Sequence, residues 1–331
     1  MLLRLITPAG AGSRSGNRVT ANRWARLLRE LGHRVKVARR YGGEPCDALI
    51  ALHARKSHES IRRFHLTCPD APLIVALTGT DLYGDLQNSR PARLSLEWAT
   101  FLVVLQPMAV ASLPRTLRIK ARVIRQSAQK PTGRVAPGRG EFRICVLGHL
   151  RPLKDPFRTA MAARFLPASS RTRVVHLGRS LSRTMAARAR EEMAHNPRYR
   201  WMGEVQRGRA LRILAGSRLL VLSSRMEGGA NVLSEALAAG VPILASRIPG
   251  SVGVLRRGYP GFFPAGDTRH LARLLRRSEE DPRFLARLAA WCRRLAPGVR
   301  PSAEREAWRH LLREISGGFP PRADHDILRG R

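Results

Sequence analysis

The sequence predicts an α/β protein built from two Rossmann-like domains, each a doubly wound parallel sheet, facing a cleft. Three observations predict it. Short apolar runs alternate with amphipathic segments of helix length, the pattern of βα units. The alternation stops at a Pro- and Gly-rich stretch and then restarts. The chain has 331 residues, too many for one ordinary core and suited to two domains of roughly 150 each.

Leu2–Ile6 reads as the first strand, followed by a Gly- and Ser-rich loop and an amphipathic helix from about Val19 to Leu31, ended by Gly32. Arg34–Ala38, Ala48–Leu52, Leu73–Leu77, Phe101–Leu105 and Arg122–Ile124 are the remaining strands of the first half. Residues 127–141 hold two Pro and three Gly with little apolar content, which makes them the linker between a domain at 1–126 and one at 142–300. In the second half, Phe142–Leu147, Arg173–Leu177, Leu219–Leu222 and Val241–Ala245 are strands. Helices near Leu271–Arg277 and Arg283–Leu295 follow, then a closing helix at 301–316. Residues 317–331 read as a disordered tail.

Composition excludes several classes. No run of 18 apolar residues exists, so no membrane span is expected. Four cysteines stand without metal-ligand spacing, which favours a reducing compartment, a cytoplasmic location and no bound metal. The net charge of +36 raises a basic nucleic-acid-binding protein as the non-enzyme alternative. The charge is spread along the whole chain, however, and 55 of its 60 basic residues are arginines, which reads as a coding bias. Aromatics at 5% are too sparse for a base-stacking platform, so no specific nucleic-acid partner is expected.

The most informative segment is Glu227-Gly228-Gly229-Ala230-Asn231-Val232-Leu233-Ser234-Glu235, continuing to Gly240-Val241-Pro242. A strand precedes it, and a helix should run from Asn231 to Ala239, stopped by Gly240 and Pro242. Strand, glycine turn and helix N-terminus aim N–H groups at one point, which suits a phosphate. Glu227 and Glu235 flank that point and accept hydrogen bonds from hydroxyls, so a nucleotide sugar is the natural guest.

This segment resembles the Glu-x7-Glu motif of the retaining family-4 glycosyltransferases of GT-B fold. The resemblance implies that Glu227 serves the donor sugar and Glu235 the ribose, with Gly228, Gly229 and Asn231 beside them. Gly148-His149-Leu150-Arg151-Pro152-Leu153-Lys154 resembles the family's diphosphate-binding stretch, Lys154 matching its lysine. His149 stands at the family arginine's place, leaving Arg151 or His149 to substitute. Thr78-Gly79-Thr80-Asp81 resembles a His-Gly-Thr-Asp tetrapeptide of the family, with Thr78 for the histidine. His53 ends an apolar strand near it and is a further catalytic candidate.

The first loop carries Gly12, Arg14, Gly16, Asn17 and Arg18 at the opening of a helix, and its glycines lack dinucleotide spacing. It suits a small, highly charged anion. Together with Ala51-Leu52-His53-Ala54-Arg55, Leu77-Thr78-Gly79-Thr80-Asp81 and Gly148-His149-Leu150-Arg151, it resembles the selenosugar synthases of selenoneine biosynthesis. That resemblance implies transfer from a UDP-sugar, UDP-N-acetylglucosamine above all, to selenophosphate held by Gly12, Arg14, Gly16, Asn17, Arg18, Thr80 and Asp81. It also implies coupling to other enzymes of that pathway. No cofactor is expected, and no Asp-x-Asp pair calls for a metal. The alternative enzyme reading is a conventional family-4 transferase with a sugar or lipid acceptor.

Overall fold

The computed structural model describes residues 1–13 and 15–317. The described chain divides into two units: 1–104 with 110–124 and 305–317, and 105–109 with 125–304.

In the first unit β1 (Leu2–Ile6), β2 (Arg34–Ala38), β3 (Ala48–Leu52), β4 (Leu73–Leu77), β5 (Phe101–Val104) and β6 (Ala121–Val123) form one parallel sheet, ordered β2-β1-β3-β4-β5-β6. Between strands run α1 (Gly16–Glu30), α2 (His58–Thr67), the short α3 (Leu86–Asn88), α4 (Arg90–Trp98) and α5 (Met108–Ala111), the first two residues of which are grouped with the second unit. Every residue of β3 and β4 is buried, which explains their unbroken apolar sequences: helices cover both faces, so no position alternates. The α1 helix buries Trp24, Leu27 and Leu28, and Gly32 follows it at φ +87°, a left-handed position that favours glycine.

In the second unit β7 (Phe142–Leu147), β8 (Thr172–Leu177), β9 (Tyr199–Trp201), β10 (Leu219–Leu222), β11 (Ile243–Ser246) and β12 (Phe262–Phe263) are also all parallel, ordered β12-β11-β10-β7-β8-β9. Its helices are α6 (Arg158–Ala163), α7 (Arg183–His195), α8 (Arg207–Ala215), α9 (Asn231–Ala239), α10 (Pro249–Leu255), α11 (Thr268–Glu280) and α12 (Pro282–Leu295). Read from β9, this is the doubly wound dinucleotide-fold order, with its switch point between β7 and β10.

Several sequence expectations need correction. β9 and β12 escaped the sequence reading because three and two residues are too few for a periodic signal. Residues 127–141 are no free linker. Arg143 donates to the carbonyls of Val135 (2.8 Å) and Ala136 (2.7 Å), Val135 N–H donates to Arg212 O (2.9 Å), and the stretch belongs to the second unit, which starts at 125. The last helix, α13 (Pro301–Ser316), is not a separate body: residues to 304 belong with the second unit and those from 305 with the first. Trp308 gives the reason, since it is fully buried edge-on to Trp24 of α1, ring centres 4.9 Å apart. The tail from 318 and Arg14 lie outside the described residues.

Candidate active site

In open α/β sheets ligands bind outside the carboxyl ends of the strands at the switch point. In the second unit that rule selects the loops after β7 and β10, and both carry predicted residues. Gly148 ends β7, and its carbonyl oxygen lies 3.0 Å from His176 Nε2. A carbonyl can only accept, so Nε2 carries the proton and Nδ1 accepts from the Tyr199 hydroxyl at 3.0 Å. Complete burial pushes the His176 pKa down to about 4 and keeps this brace neutral.

The chain then runs past half-buried His149 and Arg151 into a single turn, Pro152–Lys154, and Asp155 takes a left-handed conformation at φ +44°. The β10 loop is stitched to this turn. Ser223 Oγ donates to the carbonyls of Asp155 (2.9 Å) and Lys154 (3.2 Å), and Arg225 N–H donates to Leu153 O at 2.9 Å. The Asp155 carboxylate accepts from Arg158 Nε at 2.8 Å, and Arg158 in turn donates to Thr268 Oγ1 at 2.6 Å. The result is a fixed backbone from which Lys154 Nζ reaches Glu227 Oε1 at 2.5 Å.

Glycines set the remaining geometry. A Cβ on Gly229 would sit 2.7 Å from Leu105 Cβ, and one on Gly250, in the first turn of α10, would sit 2.2 Å from Glu227 O. Neither neighbour can yield, so the Glu227 loop lies where it does only because both positions lack side chains. Helix α9 begins at Asn231 and ends at Ala239, with Gly240 left-handed at φ +72°, as the sequence predicts. No side chain caps its N-terminus and no acidic residue occupies its first turn, so its positive end is left for a ligand. One turn further in, buried Glu235 accepts from Arg207 Nη2 at 2.6 Å. Gly148, Lys154, Glu227, Gly228, Gly229, Asn231 and Glu235 thus gather about the β7 and β10 loops and α9.

In the first unit the switch point lies between β1 and β3. The β1 loop leads into α1, whose N-terminus has no side-chain cap and no acidic residue in its first turn. Gly12 and Gly16 are exposed, and Asn17 and Arg18 are half-buried. Thr7 Oγ1, Ser15 Oγ and Arg18 Nε are buried without a hydrogen-bond partner among the described residues. His53 ends β3 at φ +74°, a strained conformation for a non-glycine residue. Its Nε2 lies 3.0 Å from Thr80 Oγ1. Burial, with Lys56 and Arg55 nearby, lowers its pKa against the opposing pull of Asp81 and Asp85. Asp81 is fully buried and accepts from the N–H groups of Ala54 (3.1 Å), Thr78 (2.9 Å), Gly79 (2.8 Å) and Leu82 (3.1 Å). Four amides fill that carboxylate, which ties the β3 and β4 loops together and presents Thr80 to His53.

Sequence reasoning missed Arg207, Asp155, Ser223 and His176. The Ser223-Ser224 pair at a strand end was a usable signal. Arg207 carried none, being one of 55 arginines. Among the described residues no group of three or more His, Cys, Asp or Glu is placed to hold a metal, and no helix is long and apolar enough to cross a membrane.

Residues 133–293 match the family Glycosyl transferases group 1. This stretch, just under half of the chain, is similar to that family. Solved structures match nearly the whole chain. HepE from Anabaena in complex with UDP superposes with a TM-score of 0.76 at 14% identity, covering 95% of this chain and 100% of that one. Sucrose-phosphate synthase from Thermosynechococcus elongatus gives 0.78 at 17% identity, covering 95% and 99%. A glycosyltransferase from Rickettsia africae gives 0.71 at 13%, covering 96% and 99%. No curated protein matches the sequence. The fold is GT-B.

Proposed function

We propose that the chain transfers a sugar from a UDP-sugar, UDP-N-acetylglucosamine first among them, to the selenium of selenophosphate. The donor half rests on one observation above others: Lys154 and Glu227 meet 2.5 Å apart beside the uncapped N-terminus of α9. A diphosphate needs the cation and the helix end, and a sugar hydroxyl needs the carboxylate. The structural neighbour HepE, crystallised with UDP and with UDP-glucose, supports the nucleotide assignment. Glu235 is the acceptor for the ribose hydroxyls.

The acceptor half is supported by the β1 loop. Arg18 Nε, Ser15 Oγ and Thr7 Oγ1 are buried donors without partners among the described residues, a costly state that an oxyanion would relieve. Gly12, Gly16 and Asn17 belong to the same loop, and the sequence adds Arg14, which lies outside the described residues.

In the reaction, selenium attacks the anomeric carbon as the C1–O bond to the diphosphate breaks, and UDP departs with its charge held by Lys154 and Arg151 or His149. Water then cleaves P–Se, releasing phosphate and the 1-seleno sugar. Selenophosphate arrives anionic, so the site supplies position and charge stabilisation more than a strong base. His53, kept neutral by burial beside Thr80, is the candidate for accepting the proton released as water attacks phosphorus. The test is incubation with selenophosphate and a panel of nucleotide sugars, read by mass spectrometry for a product with the selenium isotope pattern. A protein that ignores selenophosphate and glycosylates a carbohydrate or lipid belongs to the conventional reading instead.

A further inference from the structure

A groove of about 730 Å³ opens in the first unit, well away in sequence from the anion loop's arginines. Its walls come from the carboxyl ends of three adjacent strands: Pro8 follows β1, Arg39 and Arg40 follow β2, and Lys56 follows β3. Helix α2 supplies the fourth wall through Glu59, Arg62, Arg63 and Leu66, which share one helical face by their spacing.

The chain is basic throughout, so a basic groove alone would mean little. Five of the eleven lining residues are cations, however, against 60 of 331 in the whole chain, and a single carboxylate opposes them. Arg39, Arg40, Lys56 and Arg62 make no ion pair among the described residues, whereas arginines elsewhere, such as Arg122 and Arg158, are paired. Unpaired like charges held around one concavity repel, and an anionic guest removes that repulsion. The volume is that of a site for an organic ligand and far exceeds a bare phosphate.

We propose that this groove binds a phosphate-bearing organic anion, the phosphate held by Arg39, Arg40, Lys56 and Arg62. The proposal goes beyond the assignment of donor and acceptor and does not depend on either. The ligand is a soluble phosphate ester or the phosphate headgroup of a lipid, the recognition chemistry being the same.

The test is calorimetry on the full chain, without nucleotide sugar, at about 150 mM salt, where exposed charges beyond ~8 Å are screened. The probes are glucose 6-phosphate, inorganic phosphate, and phosphatidylcholine vesicles with and without phosphatidic acid. Two triple variants are compared: R39Q/R40Q/R62Q in the groove, and R269Q/R273Q/R283Q on exposed positions of α11 and α12. Both remove three charges, so generic attraction falls equally in each.

Loss of charge-assisted bonds should weaken glucose 6-phosphate binding at least about a hundredfold in the groove variant and less than about threefold in the control. R39K/R40K/R62K should restore most of it and shows that the triple variant folds. Binding of phosphatidic acid vesicles with no glucose 6-phosphate binding identifies the lipid headgroup as the source and sustains the proposal, provided it shows the same variant pattern. Equal loss in both triple variants overturns it, as does inorganic phosphate binding as tightly as the ester, or no binding of any probe.

Discussion

Arg207 Nη2 lies 2.6 Å from Glu235 Oε1, at the first residue of one helix and the second turn of another. The pair is lopsided: the Glu235 side chain is 5% exposed and that of Arg207 is 52% exposed. A buried carboxylate with a half-solvated partner is held in one orientation, leaving its other oxygen for a ligand. R207A should therefore lower UDP affinity by about three- to tenfold, an effect of about 1 kcal/mol given the exposure of the arginine. R207K should recover part of it. Unchanged UDP affinity in R207A, measured by calorimetry, would remove Arg207 from the positioning of Glu235.

The two glutamates should separate by ligand. E235A is expected to weaken UDP and UDP-sugar alike, because the nucleotide is common to both. E227A should spare UDP, or tighten it by freeing Lys154, and weaken only UDP-sugar. Calorimetric titrations showing the same loss of UDP affinity in both variants would contradict the division of roles.

Lys154 is expected to act mainly as the C1–O bond breaks, when charge grows on the diphosphate. K154A should lower kcat by about two orders of magnitude or more, the scale of losing one oxyanion donor, with a smaller change in donor binding. Near-normal turnover in steady-state kinetics would exclude it from the mechanism.

Arg18 should act on the other substrate. R18A is expected to raise the KM for selenophosphate by about tenfold or more and to leave UDP affinity nearly unchanged, one charge-assisted contact being worth about that factor. Thiophosphate should compete, since it keeps charge and shape. A KM for selenophosphate unaltered by R18A would sink the acceptor loop assignment.

His176 gives the fold an acid limit. Its pKa falls from the ordinary 6.5 to about 4 on burial, so the unfolded chain binds the extra proton between those values. Stability is unaffected above the unfolded pKa, is lost as pH falls through that window, and levels off below it. The full loss is roughly 3 kcal/mol. Urea denaturation of the protein and of H176Q between pH 7 and 4 checks this, and parallel pH profiles would refute it.

The strand–turn–helix that carries the candidate donor residues was legible in the sequence because its structure is local. Helix α9, its bounds and its left-handed stop at Gly240 follow from propensity and steric rules acting over a few residues. The buried strands β3 and β4 were legible because both faces are covered and their sequences are uniformly apolar. What could not be read is what depends on distant partners. Arg207 acquires meaning only where folding brings α8 beside α9, and Asp81 looked like a ligand group until four neighbouring amides proved to occupy it. Arg143, likewise, turns the stretch around Val135 from a linker into packed structure by bonds that no composition rule foresees.

The Lys154–Glu227 bond has a bearing on turnover. The two charges neutralise each other, so a donor arriving as proposed would trade one partner for two: diphosphate for the lysine, sugar hydroxyl for the glutamate. In the proposed reaction, once the sugar has left, UDP would still engage the lysine while the glutamate, 11% exposed and poorly hydrated, would have lost its hydroxyl. Its nearest remedy is to recapture Lys154, which competes directly with the spent nucleotide. On the proposed function the site would thereby carry its own displacing anion, and discharge of UDP would be favoured from within the site at the point in the cycle when the product would otherwise linger.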